Sequence, residues 1–63
     1  MNRAPTERQL QIVRLHLDGL GDKEIARELR LSPRTVHTHL QECAMRLGTT
    51  RGRLAYHFRR NHI

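Results

Sequence analysis

Tryptophan is absent from this 63-residue chain, and Tyr56 and Phe58 are its only tyrosine and phenylalanine. Any core must therefore be aliphatic. Leu, Ile, Val and Phe together number 15 of 63, about a quarter, above the level of roughly a fifth at which strongly charged chains are expected to be disordered. Cysteine occurs once, at Cys43, which excludes an internal disulfide and a cysteine zinc cluster and suits a reducing interior. No apolar run approaches the ~18 residues of a membrane span, and the opening MNRAP holds no signal-peptide hydrophobic segment. A cytoplasmic protein is expected.

Acidic residues are missing from the last third. Residues 1–42 carry seven basic and six acidic side chains, whereas 43–63 carry five basic and none acidic, so the net charge of +6 divides into +1 and +5. Such asymmetry points to a polyanionic partner, with nucleic acid first and an anionic membrane surface second. The plainer reading is that these charges only keep a small domain in solution. A chain this short forms one domain and buries only about 60% of its unfolded surface, so its stability is expected to be marginal.

What is present is helical. Thr6-Glu7-Arg8-Gln9 has the spacing of a capping box, and Ile12, Val13, His16 and Leu20 then share one face until Gly19 and Gly21 end the helix. A second helix is expected from about Asp22, as N-cap, to Arg30, with Ile25, Ala26 and Leu29 inward. Ser32 as N-cap and Pro33 at the first position announce a third over 33–47, closed by Gly48. A fourth starts near Thr50 and carries Leu54, Ala55 and Phe58. No stretch alternates with period two for long enough to be a strand. The fold expected is a compact all-α four-helix domain over residues 6–60, after a lead-in at 1–5 and before a frayed end at 61–63.

The third helix divides into two faces. Val36, Leu40, Cys43 and Leu47 form a continuous apolar stripe that must face the core. Arg34, His37, Thr38, Gln41 and Met45 fall on another face, rich in the groups that read base edges and phosphates in a major groove. Two short helices joined through Arg30-Leu31-Ser32, with small Ala26 where they cross, have the arrangement of a helix-turn-helix. Unpaired N–H groups and the positive dipole end around Ser32–Thr35 suit a phosphate oxygen.

The segments GLGDKEIA, LRLSPRTVHTH and RLG resemble the C-terminal DNA-binding domain of the LuxR/NarL/GerE class of bacterial regulators. The likeness covers residues 6 to about 60 and is most specific in the middle thirty. It implies that the third helix enters the major groove of double-stranded DNA, with His37, Thr38 and Gln41 at base-facing positions. Lys23, Ser32, Arg34, Thr35 and Arg46 would face phosphates. It also implies a homodimer through the fourth helix, placing Leu54, Ala55 and Phe58 between subunits, and association with the nucleoid when bound.

Some positions depart from the family pattern. Gln9 stands where Glu is usual, removing a charge that can pair with a basic residue of the third helix. His37 replaces a usual Lys, which makes one groove contact weaker and pH-dependent. Arg30 occupies a turn position that Gly, Asn or Asp usually fills, where positive φ would be strained. The segment 48–51 is one residue short, so the fourth helix is expected to begin early. With Met1 only five residues before the first helix, two expectations stand: a domain whose sensor has been removed, or, the preferred one, a free-standing regulator set by its abundance.

Other chemistry finds less support. A metal site would need His39 and Cys43 with His57 or His62, but Cys43 already belongs to the core stripe, so no cofactor is expected. No nucleophile–base pair is suggested by spacing, and an enzyme is not expected. The alternative function is a protein-interaction module, similar to region four of sigma factors, that engages RNA polymerase or pairs with a full-length relative.

Overall fold

The computed structural model describes residues 5–60, and within them four α-helices, one 3-10 turn and no strand. Helix α1 spans Glu7–Leu17, α2 Asp22–Leu29, α3 Pro33–Arg46 and α4 Leu54–Arg60, with the 3-10 turn Arg51–Arg53 leading directly into α4. The all-α four-helix expectation holds. The expected frayed end at 61–63 and most of the lead-in lie outside the described residues.

Local caps set the helix starts. Thr6 Oγ1 accepts from the Gln9 N–H, and Gln9 Oε1 accepts from the Thr6 N–H, each at 3.1 Å, forming the expected capping box. Ser32 Oγ accepts from the Thr35 N–H at 3.1 Å, with Pro33 opening α3. In α2 the N-cap is Gly21, not Asp22 as expected, because Glu24 reaches back and accepts from the Gly21 N–H at 2.8 Å. Asp22 is instead the first helical residue, and its carboxylate is engaged by Arg51. The last helix also departs from expectation. Thr50 precedes a 3-10 turn rather than an α-helix, and regular α geometry begins only at Leu54.

Helix ends depend on left-handed residues. Gly19 and Gly48 adopt φ of 98° and 72°. After Gly48 the chain closes α3 with two bonds, Gly48 N–H to Met45 O at 3.1 Å and Thr49 N–H to Ala44 O at 2.8 Å. Arg30 takes the same conformation at the end of α2, with φ 59° and ψ 45°, as the only described non-glycine residue of positive φ. A side chain there costs roughly 1–2 kcal/mol. The cost is offset by what the turn secures, since the Leu31 N–H returns to Ala26 O at 2.8 Å and delivers Ser32 to cap α3.

Helix α3 packs against α1, α2 and the 3-10 turn, while α4 packs against α1 and the turn. The core comprises Ile12, Val13, Ile25, Ala26, Val36, Leu40, Cys43, Ala44 and Leu54, with Leu47 and Phe58 partly buried against it. Val36, Leu40 and Cys43 of the expected stripe are fully buried, and Ala44 joins them. Burial raises the Cys43 thiol pKa above its usual value, opposed by the charge of Arg46. Leu54 requires a correction, because it is fully buried in this core and so cannot form a surface between subunits.

One buried polar group joins α1 to α3. Gln9 is 2% exposed, and while its oxygen completes the capping box its Nε2 donates to Glu42 Oε1 at 3.1 Å. The neutral amide at this position is thus matched to an acidic partner on α3. Half-buried His16, in the last turn of α1, is the other polar group of note. Burial lowers its pKa below 6.5; the charge of Arg51 acts the same way and that of Asp22 opposes them.

Two expectations follow. Arg30→Gly, which relieves the left-handed strain at some cost in unfolded-chain entropy, is expected to stabilise the domain by about 1 kcal/mol. Thermal unfolding would register this as a Tm rise of about 4–8 °C, and an unchanged or lower Tm would contradict it. Because the folded state favours neutral His16, the unfolded chain binds that proton more readily. The stabilisation is therefore present above pH 6.5 and is lost as pH falls through 6.5 towards the lowered folded value. Urea melts at pH 7.5 and 5.5 should show a larger loss for wild type than for His16→Gln, and equal losses would refute the assignment.

Candidate nucleic-acid interface

Helix α3 advances 100° per residue, so Arg34, His37, Thr38, Gln41 and Met45 fall within an arc of about 100°. Arg34, His37, Thr38, Gln41 and Met45 are all exposed, and Met45 is 76% exposed. On the far side Val36, Leu40 and Cys43 have no exposed surface. The residues expected to read bases therefore lie together on one open strip that the core positions from behind. His39, two residues from His37, is half-buried, and its Nδ1 is the one buried side-chain nitrogen or oxygen among the described residues without a hydrogen-bond partner.

The expected phosphate-facing residues surround this strip. Ser32 and Arg34 are exposed at the start of α3, and Thr35 is half-buried beside them. Ser32 Oγ and Thr35 Oγ1 lie 2.8 Å apart in a mutual hydrogen bond, so the cap is a small hydroxyl cluster at the positive end of the helix dipole. Lys23 is exposed in the first turn of α2. Arg46, also exposed, is the last residue of α3, about 18 Å along the axis from Arg34 and off the arc of the other side chains.

A further residue enters the interface that sequence patterns do not single out. Arg51, in the 3-10 turn, forms a two-point ion pair with Asp22 at the start of α2: Nη1 donates to Oδ2 at 3.0 Å and Nη2 to Oδ1. Nη1 also bonds Nδ1 of His37 on the strip. The pairs are 29 and 14 residues apart in sequence, so no local periodicity reveals them. The only signal is an arginine in the short connection behind Gly48. A shallow groove beside this arginine is lined by Gln41, Ala44, Met45, Thr49, Thr50 and Arg51.

The expected subunit contact is divided by the structure. Leu54 is in the core, Ala55 is exposed and Phe58 is half-buried. Ala55 and Phe58 meet Leu17 and Arg59 around a second shallow groove between α1 and α4. Among the described residues no group of three or more His, Cys, Asp or Glu is placed to hold a metal ion, and no helix is long and apolar enough to cross a membrane.

Comparison with known proteins identifies the family. The family model for bacterial regulatory proteins of the luxR family matches residues 6–58. Proteins of Mycobacterium tuberculosis and Mycobacterium bovis, named as candidate HTH-type transcriptional regulators, are each 52% identical over 44 residues. That alignment covers 70% of this chain and 5% of the relatives, so the chain spans a small fraction of the proteins it matches. No solved structure gives a significant match. The chain belongs to the luxR family of bacterial regulatory proteins, as a helix-turn-helix DNA-binding domain.

Proposed function

We propose that this domain binds double-stranded DNA sequence-specifically, as a homodimer and without catalysis, by seating α3 in the major groove. The observation that carries the reading is the division of α3: a fully buried aliphatic stripe behind, and Arg34, His37, Thr38 and Gln41 together on the open side. An imidazole, a hydroxyl and an amide at this spacing supply the donors and acceptors that distinguish base pairs from the major-groove edge. Lys23, Ser32, Arg34, Thr35 and Arg46 supply phosphate contacts that fix register without reading sequence. The excess of positive charge over 43–63 assists encounter with the polyanion.

With Leu54 withdrawn into the core, the subunit contact rests on Ala55 and Phe58 of α4, extended by Leu17 of α1. Leu17 is 37% exposed and continues the apolar patch across the groove between the two helices. Pairing two copies there would set two α3 helices against half-sites about one helical turn apart.

Equilibrium binding to an operator obtained by unbiased selection tests the reading. With about six phosphate contacts, the log–log dependence on salt should have a slope near −5. Thr38→Ala and Gln41→Ala should each remove about 1–3 kcal/mol of discrimination at one base pair. Arg34→Ala should weaken all sequences alike and make the slope shallower by about one. A flat salt dependence, or no operator preferred over random DNA, would contradict it. If these α3 substitutions left regulation intact while Phe58→Asp abolished it, a protein-interaction role would replace the DNA-reading one.

A further inference from the structure

Arg51 meets the His37 ring at one nitrogen, Nδ1. A guanidinium only donates hydrogen bonds and keeps its charge at any physiological pH. The nitrogen that meets Arg51 Nη1, His37 Nδ1, must therefore present a lone pair. A neutral imidazole with its lone pair at Nδ1 carries its proton on Nε2. Arg51 is itself held, because Nη1 and Nη2 grip both carboxylate oxygens of Asp22 at the start of α2. The second hydrogen of Nη1 remains for His37, and the three residues form a chain from α2 through the 3-10 turn to α3.

We propose that Asp22 and Arg51 are positioning residues that fix His37 as a hydrogen-bond donor, through Nε2–H, directed at an acceptor on a base edge, and that guanine is the base preferred there. The inference rests on the reading of α3 as the groove-entering helix. Guanine offers two acceptors in the major groove, N7 and O6; adenine offers N7 beside a donor, thymine O4 alone, and cytosine only a donor. A ring free to exchange tautomers would tolerate acceptor and donor alike. A ring fixed by Arg51 rejects cytosine and gains most from guanine. An exposed histidine on an open helix face would otherwise rotate freely, so the anchor also sets the direction of the N–H. Hydrogen bonds behind a metal-binding histidine fix its tautomer and orientation in the same way.

The chain also accounts for where Asp22 and Arg51 are placed. Asp22 does not cap α2: it is the first helical residue, and Gly21 holds the N-cap position. Arg51 is the first residue of the 3-10 turn, which approaches α3 closely enough to reach His37. An arginine in that position would ordinarily be counted among phosphate contacts. Here its guanidinium faces Asp22 and His37, so it acts on specificity rather than on general affinity.

Two measurements on the intact 63-residue chain test the proposal, using wild type, Arg51→Met, Arg51→Lys and Asp22→Asn, with circular dichroism reporting folding of each. Long-range 1H–15N spectra of the free protein at pH 7.5 read the His37 tautomer. Wild type should show a single Nε2–H form, Arg51→Met a mixture, and Arg51→Lys, which keeps a cationic donor but loses the two-nitrogen fork, an intermediate bias. A mixture in wild type, or the same single form in Arg51→Met, would overturn the proposal whether or not DNA is bound. Binding to the selected operator with guanine, adenine, thymine or cytosine facing His37 is the second measurement. Wild type should prefer guanine over cytosine by about tenfold or more. Arg51→Met and Asp22→Asn should lose most of that ratio at this position while keeping discrimination at the others and the salt slope. Full retention of the ratio in Arg51→Met overturns the positioning role and leaves the DNA-reading function standing. Absence of any base preference in wild type, at any position, overturns both. If Arg51→Met fails to fold, Asp22→Asn decides through the base ratio: its loss at this position supports the positioning role, and full retention overturns it.

Discussion

The structure depends on one constraint: α3 must be buried along one stripe while its opposite side stays open to solvent. Fourteen residues of helix satisfy it by setting Val36, Leu40 and Cys43 against α1 and α2, which supply Ile12, Val13, Ile25 and Ala26. No tryptophan is present to fill space, so contact is made by small and medium aliphatic side chains, with Ala26 and Ala44 buried among them. In a domain this small few side chains share the work, and truncating any of the fully buried ones removes a large part of the total stability. The open face is thus held by a core with little to spare. The same packing that stabilises the fold aims the polar strip.

Polar links refine that placement. Gln9 combines two tasks, closing the α1 cap and donating to Glu42, so the start of α1 is registered against the flank of α3. Arg51 does the same on the other flank, tying the start of α2 to His37. Between them the Ser32–Thr35 cluster caps α3 itself. The helix is therefore fixed at its first turn and along both sides. A major groove is read at the scale of single hydrogen bonds, and this degree of definition suits the groove-reading role proposed for α3.

How much of this was legible in the sequence follows from the range of each interaction. The Thr6–Gln9 box, the Ser32-Pro33 start and the glycines at 19 and 48 are local, three or four residues across, and each appears where its pattern places it. The α3 stripe is legible because burial against two neighbours imposes a helical period. Arg30 was legible as a strained turn residue, and its backbone adopts the left-handed conformation. The Asp22–Arg51–His37 chain and the Gln9–Glu42 bond span 14 to 33 residues, and such pairings have no period to betray them. Asp is a common N-cap, so residue type alone points to Asp22, but the helix starts one residue earlier, with Gly21 at the cap position and its N–H held by Glu24. Helical spacing groups Leu54 with Ala55 and Phe58 but does not say which of the three turns inward, and the structure buries Leu54.

On the function proposed above, the exposed side of α3 is the surface that meets DNA. Titrating the 15N-labelled domain with its selected operator and following backbone amide shifts tests it most directly. The largest changes should fall on Arg34, His37, Thr38 and Gln41 and on the first turn of α2 around Lys23, with the buried stripe moving little. Largest changes confined to Leu17, Ala55 and Phe58, with the α3 strip unperturbed at saturation, would contradict it.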